Sequence, residues 1–231
     1  MRFSIFLTLS VLVAVSACSS DPDADSPPTA AVLEARHIKA VGGEKALARL
    51  TNRVIEGRWI DDRPTLGAPV EKPLKAWANA EGHWRMQIGD EVFGCDARGG
   101  WHLDSSGVQA DAWHDRSKLG FILDPQGFLN LDQYFMDRCY ERQQTIEYRR
   151  LSGVFTDRDS SYYTLWFDSA DDLLFLLGYH YQVKDYREVD GVLVPHHVEA
   201  GRKGGANHYL FDTILHNQDI PDSLLARPGS G

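Results

Sequence analysis

The chain has 231 residues and a formal net charge of −9, with 33 acidic against 24 basic side chains. A surface this acidic argues against a nucleic acid partner, because neutralisation of phosphates by basic side chains supplies most non-specific affinity. It also argues against a protein that lies flat on anionic lipid. The length is ordinary for a single all-β domain.

The first seventeen residues have the pattern of an export signal. Arg2 supplies a short positive region, and the stretch from Phe3 to Val15 is uncharged and mostly apolar. A bilayer-spanning helix needs roughly 20 apolar residues, so this stretch is too short to be one. Its length and the small residues that follow are typical of a signal peptide. The sequence therefore predicts that residues 1–17 are a lipoprotein signal peptide.

Cys18 changes the predicted fate of the chain from secretion to anchoring. Residues 15–18, Val-Ser-Ala-Cys, resemble the lipobox of bacterial lipoproteins. The resemblance implies that Cys18 carries a diacylglyceryl group and an amide-linked acyl chain, and two or more chains anchor a protein stably. Because Ser19 rather than aspartate follows the cysteine, the outer membrane is favoured, with the domain facing the periplasm. An ordinary signal peptide followed by an unrelated cysteine is the alternative.

Residues 18–30 are predicted to be the lipidated cysteine and a flexible tether. The segment from Ser19 to Ala30 combines prolines and acidic residues without large apolar groups. Such a composition cannot bury enough surface to become ordered. The rest of the chain, 31–231, is expected to be a single domain.

Helical patterning follows the tether. Thr29 can cap a helix that ends at Gly42 and Gly43, and a short second helix is predicted over 44–50. Between Trp113 and Phe135 the pattern is again irregular or helical.

Most of the domain has the patterning of β-strands. From Arg53 onward apolar residues recur with a period of two, and turn signals such as Asp190-Gly191 separate the runs. Three long strands are expected to close the sheet, at residues 173–186, 192–200 and 206–216. Short runs joined by tight turns pair as antiparallel neighbours, and a sheet of many strands curls. We therefore expect a mainly β (α+β) fold, a large curved antiparallel sheet or unclosed β-barrel of about 9–11 strands wrapped over a few helices.

Two cysteines remain in the predicted mature chain, Cys95 and Cys139. Export would place them in an oxidising compartment, where an even pair favours a disulfide. Two buried thiols are the alternative.

Motifs of catalysis and metal binding are missing from the sequence, which has no GxSxG, HExxH, CxxC, P-loop or GxGxxG pattern. His197 and Glu199 match the HxE of zinc deaminases, but the companion PCxxC is absent. His196 and His197 point to opposite faces of a predicted strand, so they cannot bind one metal side by side. The sequence predicts no enzyme, no metal site and no cofactor other than the covalent lipid on Cys18.

Large apolar side chains on the predicted strands are candidates for a ligand cavity, since such sites are mostly hydrophobic. The candidates are Trp59, Trp84, Met86, Trp101, Trp166 and Phe167. The alternative is that they pack an ordinary core. Leu66, an isolated apolar residue in a loop rich in proline and glycine, is either a membrane-contacting tip or incidental.

Several short motifs resemble the LolA/LolB-like family of outer-membrane lipoprotein-sorting proteins. Val41–Leu50, followed by Arg53–Gly57, resembles the opening A-x-G-G-x-x-A-L-x-x-L … G of these proteins. Asp185–Pro195 resembles a strand-turn-strand of the family, and Ile220–Leu225 resembles its closing segment. The resemblance covers about residues 31–225.

The family resemblance implies an unclosed β-barrel over helices, with a hydrophobic cavity that holds acyl chains. The soluble carrier of the family has no lipobox, so Cys18 makes this chain more similar to the anchored acceptor. The expected function is a tethered, monomeric periplasmic lipoprotein that binds a lipid, acyl chain or other apolar ligand. A non-catalytic structural or interaction lipoprotein of the envelope, with a filled core, is the alternative.

Overall fold

The computed structural model describes residues 28–229 except 64–66, 105, 111–117, 147–148, 159–160, 179 and 203–204. Within the strands it leaves out the side chains of residues 104, 136–137, 139–142, 146, 149, 155–158, 161–163 and 202. The predicted signal peptide, Cys18, most of the predicted tether and Leu66 lie outside the described residues. No helix in the part of the chain that is described is long and apolar enough to cross a membrane.

Thirteen strands form one antiparallel sheet across the described residues. They are β1 Asn52–Asp61, β2 Val70–Asn79, β3 Trp84–Ile88, β4 Glu91–Asp96, β5 Gly99–Asp104, β6 Gly107–Ala110, β7 Met136–Ile146, β8 Arg149–Arg158, β9 Ser161–Asp168, β10 Leu174–Leu177, β11 Tyr181–Val189, β12 Val192–Arg202 and β13 Gly205–His216. Each strand pairs with a strand adjacent in sequence, except that β1 pairs with β13. Strands β6 and β7 form the two edges, so the sheet does not close on itself.

The predicted mainly β, unclosed fold is confirmed, although the number of strands exceeds the expected 9–11. One cause is the segment 173–186, which we expected to be a single strand. Gly178 adopts a φ of +63° there, and the chain turns and divides the segment between β10 and β11. A positive φ is available to glycine without steric cost.

Four short helices accompany the sheet in the described residues: α1 Ala30–Ala40, α2 Glu44–Leu47, α3 Lys118–Leu123 and α4 Asp222–Leu225. The predicted start of α1 is confirmed, because the Thr29 hydroxyl accepts a hydrogen bond from the backbone N–H of Val32 at 3.3 Å. Its end is also as predicted. The chain turns at Gly42, whose φ is +126°, and the N–H of Gly43 donates to the carbonyl of Ile38 at 2.8 Å.

The main hydrophobic core lies between one face of the sheet and helices α1 and α3. Its most deeply buried members include Trp84, Met86, Leu123, Val154, Leu165, Leu177 and Val198. Since α1 and α3 cover only part of so large a sheet, the contents of this concave side determine whether the protein can hold a ligand.

His37 joins α1 to the sheet. Its Nδ1–H donates to the carbonyl of Asp172 at 2.9 Å, and its ring centroid lies 3.9 Å from that of Phe128 and 5.4 Å from that of Phe167. Burial lowers the pKa of His37 to about 4, against a partial opposing effect of the hydrogen bond to Asp172. The imidazole is therefore neutral in the folded protein at neutral pH.

Protonation of His37 should destabilise the fold in acid. Because the folded pKa is about 4 and the unfolded value 6.5, the unfolded chain takes up the proton first as the pH falls. Stability should fall between pH 6.5 and 4 by an amount on the order of 3 kcal/mol from this residue. Urea unfolding of His37→Gln at several pH values should show a shallower fall. The exposed Lys39→Gln on the same helix is the control, and equal slopes for wild type and His37→Gln would contradict the assignment.

Candidate functional site

A small cavity lies between α3, the loop that follows it and the concave face of the sheet. Its lining is mostly apolar, with a few polar side chains: His37, Val41, Leu47, Arg53, Phe121, Ile122, Asp124, Pro125, Gly127, Phe128, Leu174, Val183, Tyr186, Leu193, Val194 and Pro195. Its volume is about 50 Å³. One water molecule needs at least about 10–15 Å³ on this measure, whereas ligand pockets run to roughly 300–1,000 Å³. The cavity therefore has room for a few waters, and a larger ligand requires part of the lining to move.

Much of the lining belongs to residues 118–135, here called the lid, which comprise α3, the following loop and a 3₁₀ turn at Leu131–Gln133. The centre of the lid is an aromatic cluster. The ring centroid of Phe121 lies 4.9 Å from that of Phe128, 5.5 Å from Tyr134 and 5.1 Å from Phe135. These four rings belong to the lid and fill the concave side of the sheet. If the lid were removed, an apolar hollow would remain there.

Gly120 allows the lid to sit directly on Trp84 of β3. A Cβ atom at Gly120 would lie 2.4 Å from Nε1 of Trp84, a contact that real Cβ atoms do not make. Trp84 is almost fully buried beneath α3. The absence of a side chain at Gly120 therefore sets how closely the lid can close.

Arg53 of β1 binds the end of α3. Its Nη1 donates to the carbonyl of Ile122 at 3.0 Å and lies 3.4 Å from the carbonyl of Leu123. The last carbonyls of a helix have no hydrogen-bond donor within the helix, so Arg53, a residue of the sheet, supplies one. Burial lowers the pKa of Arg53 to about 10, against the opposing charge of Asp124, and the guanidinium remains charged at neutral pH.

Two further side chains support Arg53. Its Nε donates to Nε2 of His216 at 3.2 Å, and Nδ1–H of His216 donates to the carboxylate of Asp190 at 3.1 Å. Burial and, to a smaller extent, the positive charge of Arg53 lower the pKa of His216 to about 4. His216 is therefore neutral at neutral pH and accepts the hydrogen bond from Arg53.

Asp124, just after α3, is the carboxylate of this buried group. It accepts hydrogen bonds from the Tyr134 hydroxyl at 2.9 Å and from the backbone N–H of Gln126 at 2.7 Å. Burial raises the pKa of Asp124, while those hydrogen bonds and the charge of Arg53 oppose the increase. The lid is thus held by polar contacts at the end of α3, and further along by hydrogen bonds from the side-chain amides of Gln126 and Asn130 to backbone carbonyls outside the lid.

The pairing of strands is shortest beside the cavity, where β10 and β11 separate. These strands pair only at Leu176–Gln182 and Leu177–Tyr181. Beyond this point the hydroxyl of Tyr186 donates to the carbonyl of Leu174 at 2.9 Å and bridges the two chains.

A second cavity of about 460 Å³ adjoins the separation of β10 and β11. It shares three lining residues with the first cavity, namely Leu174, Val183 and Tyr186. The rest of its lining is partly polar and consists of Asp168, Asp171, Leu173, Phe175, Lys184 and Asp185. A single layer of side chains therefore lies between the inner cavity and a wider, polar one.

None of the six candidate cavity residues lines the small cavity. Trp84, Met86 and Phe167 belong to the main core, and Trp59 is half-buried against it. Trp84 lies beneath α3, so it could meet a ligand only if the lid opened. Ligand contact by these four residues stays a prediction.

Trp101 and Trp166 lie on the opposite, outer face of the sheet, away from the small cavity, and their contact with a ligand also stays a prediction. Trp166 alternates with Phe167, a core residue, and belongs to a separate cluster with Leu151, Phe175 and Leu176. Trp101 pairs with Gly94, and the core residues Phe93 and Cys95 flank that glycine on the other face. A period of two places residues on alternate faces but does not say which face is concave.

The two outer tryptophans share one packing arrangement. A Cβ at Gly94 would lie 2.7 Å from the ring of Trp101, and a Cβ at Gly153 would lie 2.6 Å from the ring of Trp166. Each indole therefore covers a glycine of the neighbouring strand and serves packing.

Cys95 is fully buried on β4, with its Sγ 3.7 Å from the carbonyl oxygen of Asp96. The side chain of Cys139 is not among those described. No disulfide occurs among the described side chains, and the bond between Cys95 and Cys139 stays a prediction.

Sequence reasoning missed Arg53 and its partners. Arg53 occupies the same strand face as the buried Ile55, so a charged residue in a predicted apolar row was the available signal. Its partners Ile122, Leu123 and His216 are distant in sequence, and no local pattern brings them together.

Three solved structures have a similar fold. A LolA superfamily protein from Nitrosomonas europaea has a TM-score of 0.58 at 10% identity, over 87% of this chain and 99% of that one. A DUF1329 family protein from Desulfovibrio piger has a TM-score of 0.57 at 9% identity, over 84% and 95% of the two chains. An outer membrane lipoprotein-sorting protein domain from Vibrio parahaemolyticus has a TM-score of 0.54 at 8% identity, over 76% and 89%.

These similarities define the class of fold. The chain has the unclosed, helix-covered sheet of LolA-superfamily and outer-membrane lipoprotein-sorting proteins, as the sequence motifs led us to expect. No protein-family description matches the sequence, and no curated protein matches it either. At identities of 8–10% the likeness is one of fold.

The contact between Gly120 and Trp84 can be tested by a double-mutant cycle. Gly120→Ala should lower the free energy of unfolding by about 1–3 kcal/mol, because the methyl group overlaps a buried indole. Trp84→Phe removes the overlapping nitrogen, so Gly120→Ala should be less damaging in that background. Urea unfolding of the four proteins measures this coupling. Strictly additive effects would show that the lid does not rest on Trp84.

Proposed function

We propose that the protein is a membrane-tethered periplasmic lipoprotein that binds an acyl chain, a lipid or another apolar ligand beneath the lid, in lipoprotein or lipid sorting. The observation that carries this proposal is the contact of Arg53 with the end of α3. One side chain of the sheet holds a short apolar helix over the concave face, and the helix fills the space that a ligand would take.

The packing of the lid supports the proposal that a ligand can replace the lid beneath the sheet. Leu119, Phe121, Ile122 and Leu123 are all buried in the closed state. Exposure of such side chains to water costs about 1.5–3 kcal/mol each. An acyl chain returns about 0.8 kcal/mol per buried methylene, so a chain of about sixteen carbons returns on the order of 10 kcal/mol. The two amounts are similar, as a reversible carrier requires.

The geometry also supports a role for the buried polar side chains in holding the lid closed. Arg53, Asp124 and His216 are buried, and every hydrogen bond of Arg53 to the lid ends on a backbone carbonyl at the end of α3. Opening would expose these carbonyls and the guanidinium, and water would have to replace the hydrogen bonds that they lose.

The proposed location rests on the sequence and on the fold together. A LolA-superfamily fold, found also in an outer membrane lipoprotein-sorting protein domain, agrees with a role in the bacterial envelope. The lipobox-like residues up to Cys18 add the anchor. In this account the protein is an acceptor or carrier without catalytic activity.

A non-catalytic envelope lipoprotein with a permanently filled core is the second candidate. The small volume of the inner cavity, about 50 Å³, favours a filled core in the absence of a ligand. The two candidates differ in whether the lid moves.

Removal of the Arg53 contact should favour the open state. We expect Arg53→Met to bind a fluorescent fatty acid several-fold more tightly than the wild type, because the apparent affinity rises with the population of the open state. Arg58→Met is the matched control, since Arg58 lies on the same strand and pairs with Asp212 at 2.9 Å on the exposed face. Titration of the probe, with circular dichroism as the folding check, measures this effect.

Native mass spectrometry of the same three proteins supplies the second readout. Co-purified lipid on the wild type, with more on Arg53→Met, is the expected result. A folded Arg53→Met that binds no probe and carries no lipid would support the filled-core candidate instead.

The anchor is tested separately in cells. Cys18→Ser should move the protein from the membrane fraction to the soluble periplasmic fraction, because the thiol that accepts the lipid is lost. Ser19→Ala is the control for a change next to the cysteine. Unchanged membrane fractionation of Cys18→Ser would refute lipidation at this residue.

A further inference from the structure

Two histidines and a glutamate meet on the outer face of β12 and β13, away from the proposed ligand cavity. His197 and Glu199 are two residues apart on β12 and share a face, opposite the buried Val198. His208 lies directly across from Glu199 on β13. The potential ligand atoms of the three side chains all lie within 4.8 Å of one another.

The spacing of the two imidazoles fits a bound metal ion. Nε2 of His197 and Nδ1 of His208 are 3.1 Å apart. Metal–nitrogen bonds of about 2.0–2.1 Å in a tetrahedral site place two nitrogens roughly 3.4 Å apart. An ion can therefore replace the hydrogen between the rings with a shift of a few tenths of an ångström.

Asp62 orients His208 from outside the cluster. Its Oδ2 lies 3.1 Å from Nε2 of His208, and its Oδ1 accepts a hydrogen bond from the backbone N–H of Ala206 at 2.6 Å. A proton on Nε2 that is donated to Asp62 leaves the lone pair of Nδ1 directed at His197. A carboxylate behind a metal-binding imidazole is the usual arrangement in protein metal sites, where it fixes the tautomer and the ring orientation.

The surroundings of the cluster also suit a cation. All three side chains are half-buried, so protein holds them on one side and solvent can reach the other. The Lys184 ammonium lies 2.7 Å from Oε2 of Glu199 and would compete for one carboxylate oxygen while holding the group in place.

We propose that His197, Glu199 and His208 bind a zinc ion, with Asp62 as the positioning residue behind His208. Two imidazole nitrogens and one carboxylate oxygen are ligands that Zn²⁺ accepts, and water completes the coordination on the solvent side. The site joins β12 and β13 to the end of β1, independently of what lies beneath the lid. It departs from the expectation of no metal site, which considered only neighbours in sequence.

Isothermal titration of the EDTA-treated, detergent-purified full-length protein with ZnCl₂ tests the site. We expect one zinc per chain, with His197→Ala and His208→Ala each weakening binding at least tenfold. Asp62→Asn should weaken it by about 10–100-fold, as loss of such a partner does elsewhere. His83→Ala is the matched control, because His83 lies 3.7 Å from Glu81 but belongs to no such group of three among the described residues.

Cobalt spectroscopy provides a readout of geometry that does not depend on variants. Co²⁺ in the wild-type protein should give the intense visible absorption of a four-coordinate site, and zinc should abolish it. The proposal is overturned if no stoichiometric binding occurs, or if the cobalt spectrum is that of the hydrated ion. It is equally overturned if folded His197→Ala and His208→Ala bind zinc as tightly as the wild type does. His197→Gln and His208→Gln replace any alanine variant that does not fold.

Discussion

The hydrogen bonds between the buried guanidinium of Arg53 and the end of α3 determine how the lid lies on the sheet. A buried cation needs partners, and the end of a six-residue helix has carbonyls that need donors. Arg53 and α3 meet these needs for each other, while His216 and Asp124 complete the buried polar group. Apolar packing fills the space beneath the sheet. The hydrogen bonds of Arg53, together with those of Gln126 and Asn130 of the lid, fix the register in which the lid lies there.

The curled sheet explains why such a lid is needed. Thirteen strands over a few short helices enclose more space than α1 alone can fill. The outer face uses a different means, with Trp101 and Trp166 each lying over a glycine of the next strand. The cluster of His197, Glu199 and His208 lies on that same outer face, so the proposed zinc site and the proposed ligand site have the sheet between them.

The sequence predicted the class of fold because its dominant signals are local. Strand alternation and tight turns pointed to an antiparallel sheet, and Thr29 and Gly43 marked the limits of α1. The division at Gly178 was missed because a single glycine in an apolar run is also compatible with a continuous strand. The contacts on which the two proposals rest were missed because they join residues distant in sequence. Arg53 meets α3 across about seventy residues, and His208 reaches Glu199 only through the register of β12 and β13.

We propose that an apolar ligand takes the place of the lid beneath the sheet. Hydrogen–deuterium exchange of the wild-type protein, with and without a fatty acid of about sixteen carbons, distinguishes this from a permanently filled core. We expect faster exchange of the backbone amides of α3 and the following loop when the fatty acid is bound, with β1, β2 and β13 unchanged. Exchange in the lid that is unchanged or slower at saturating ligand would contradict it.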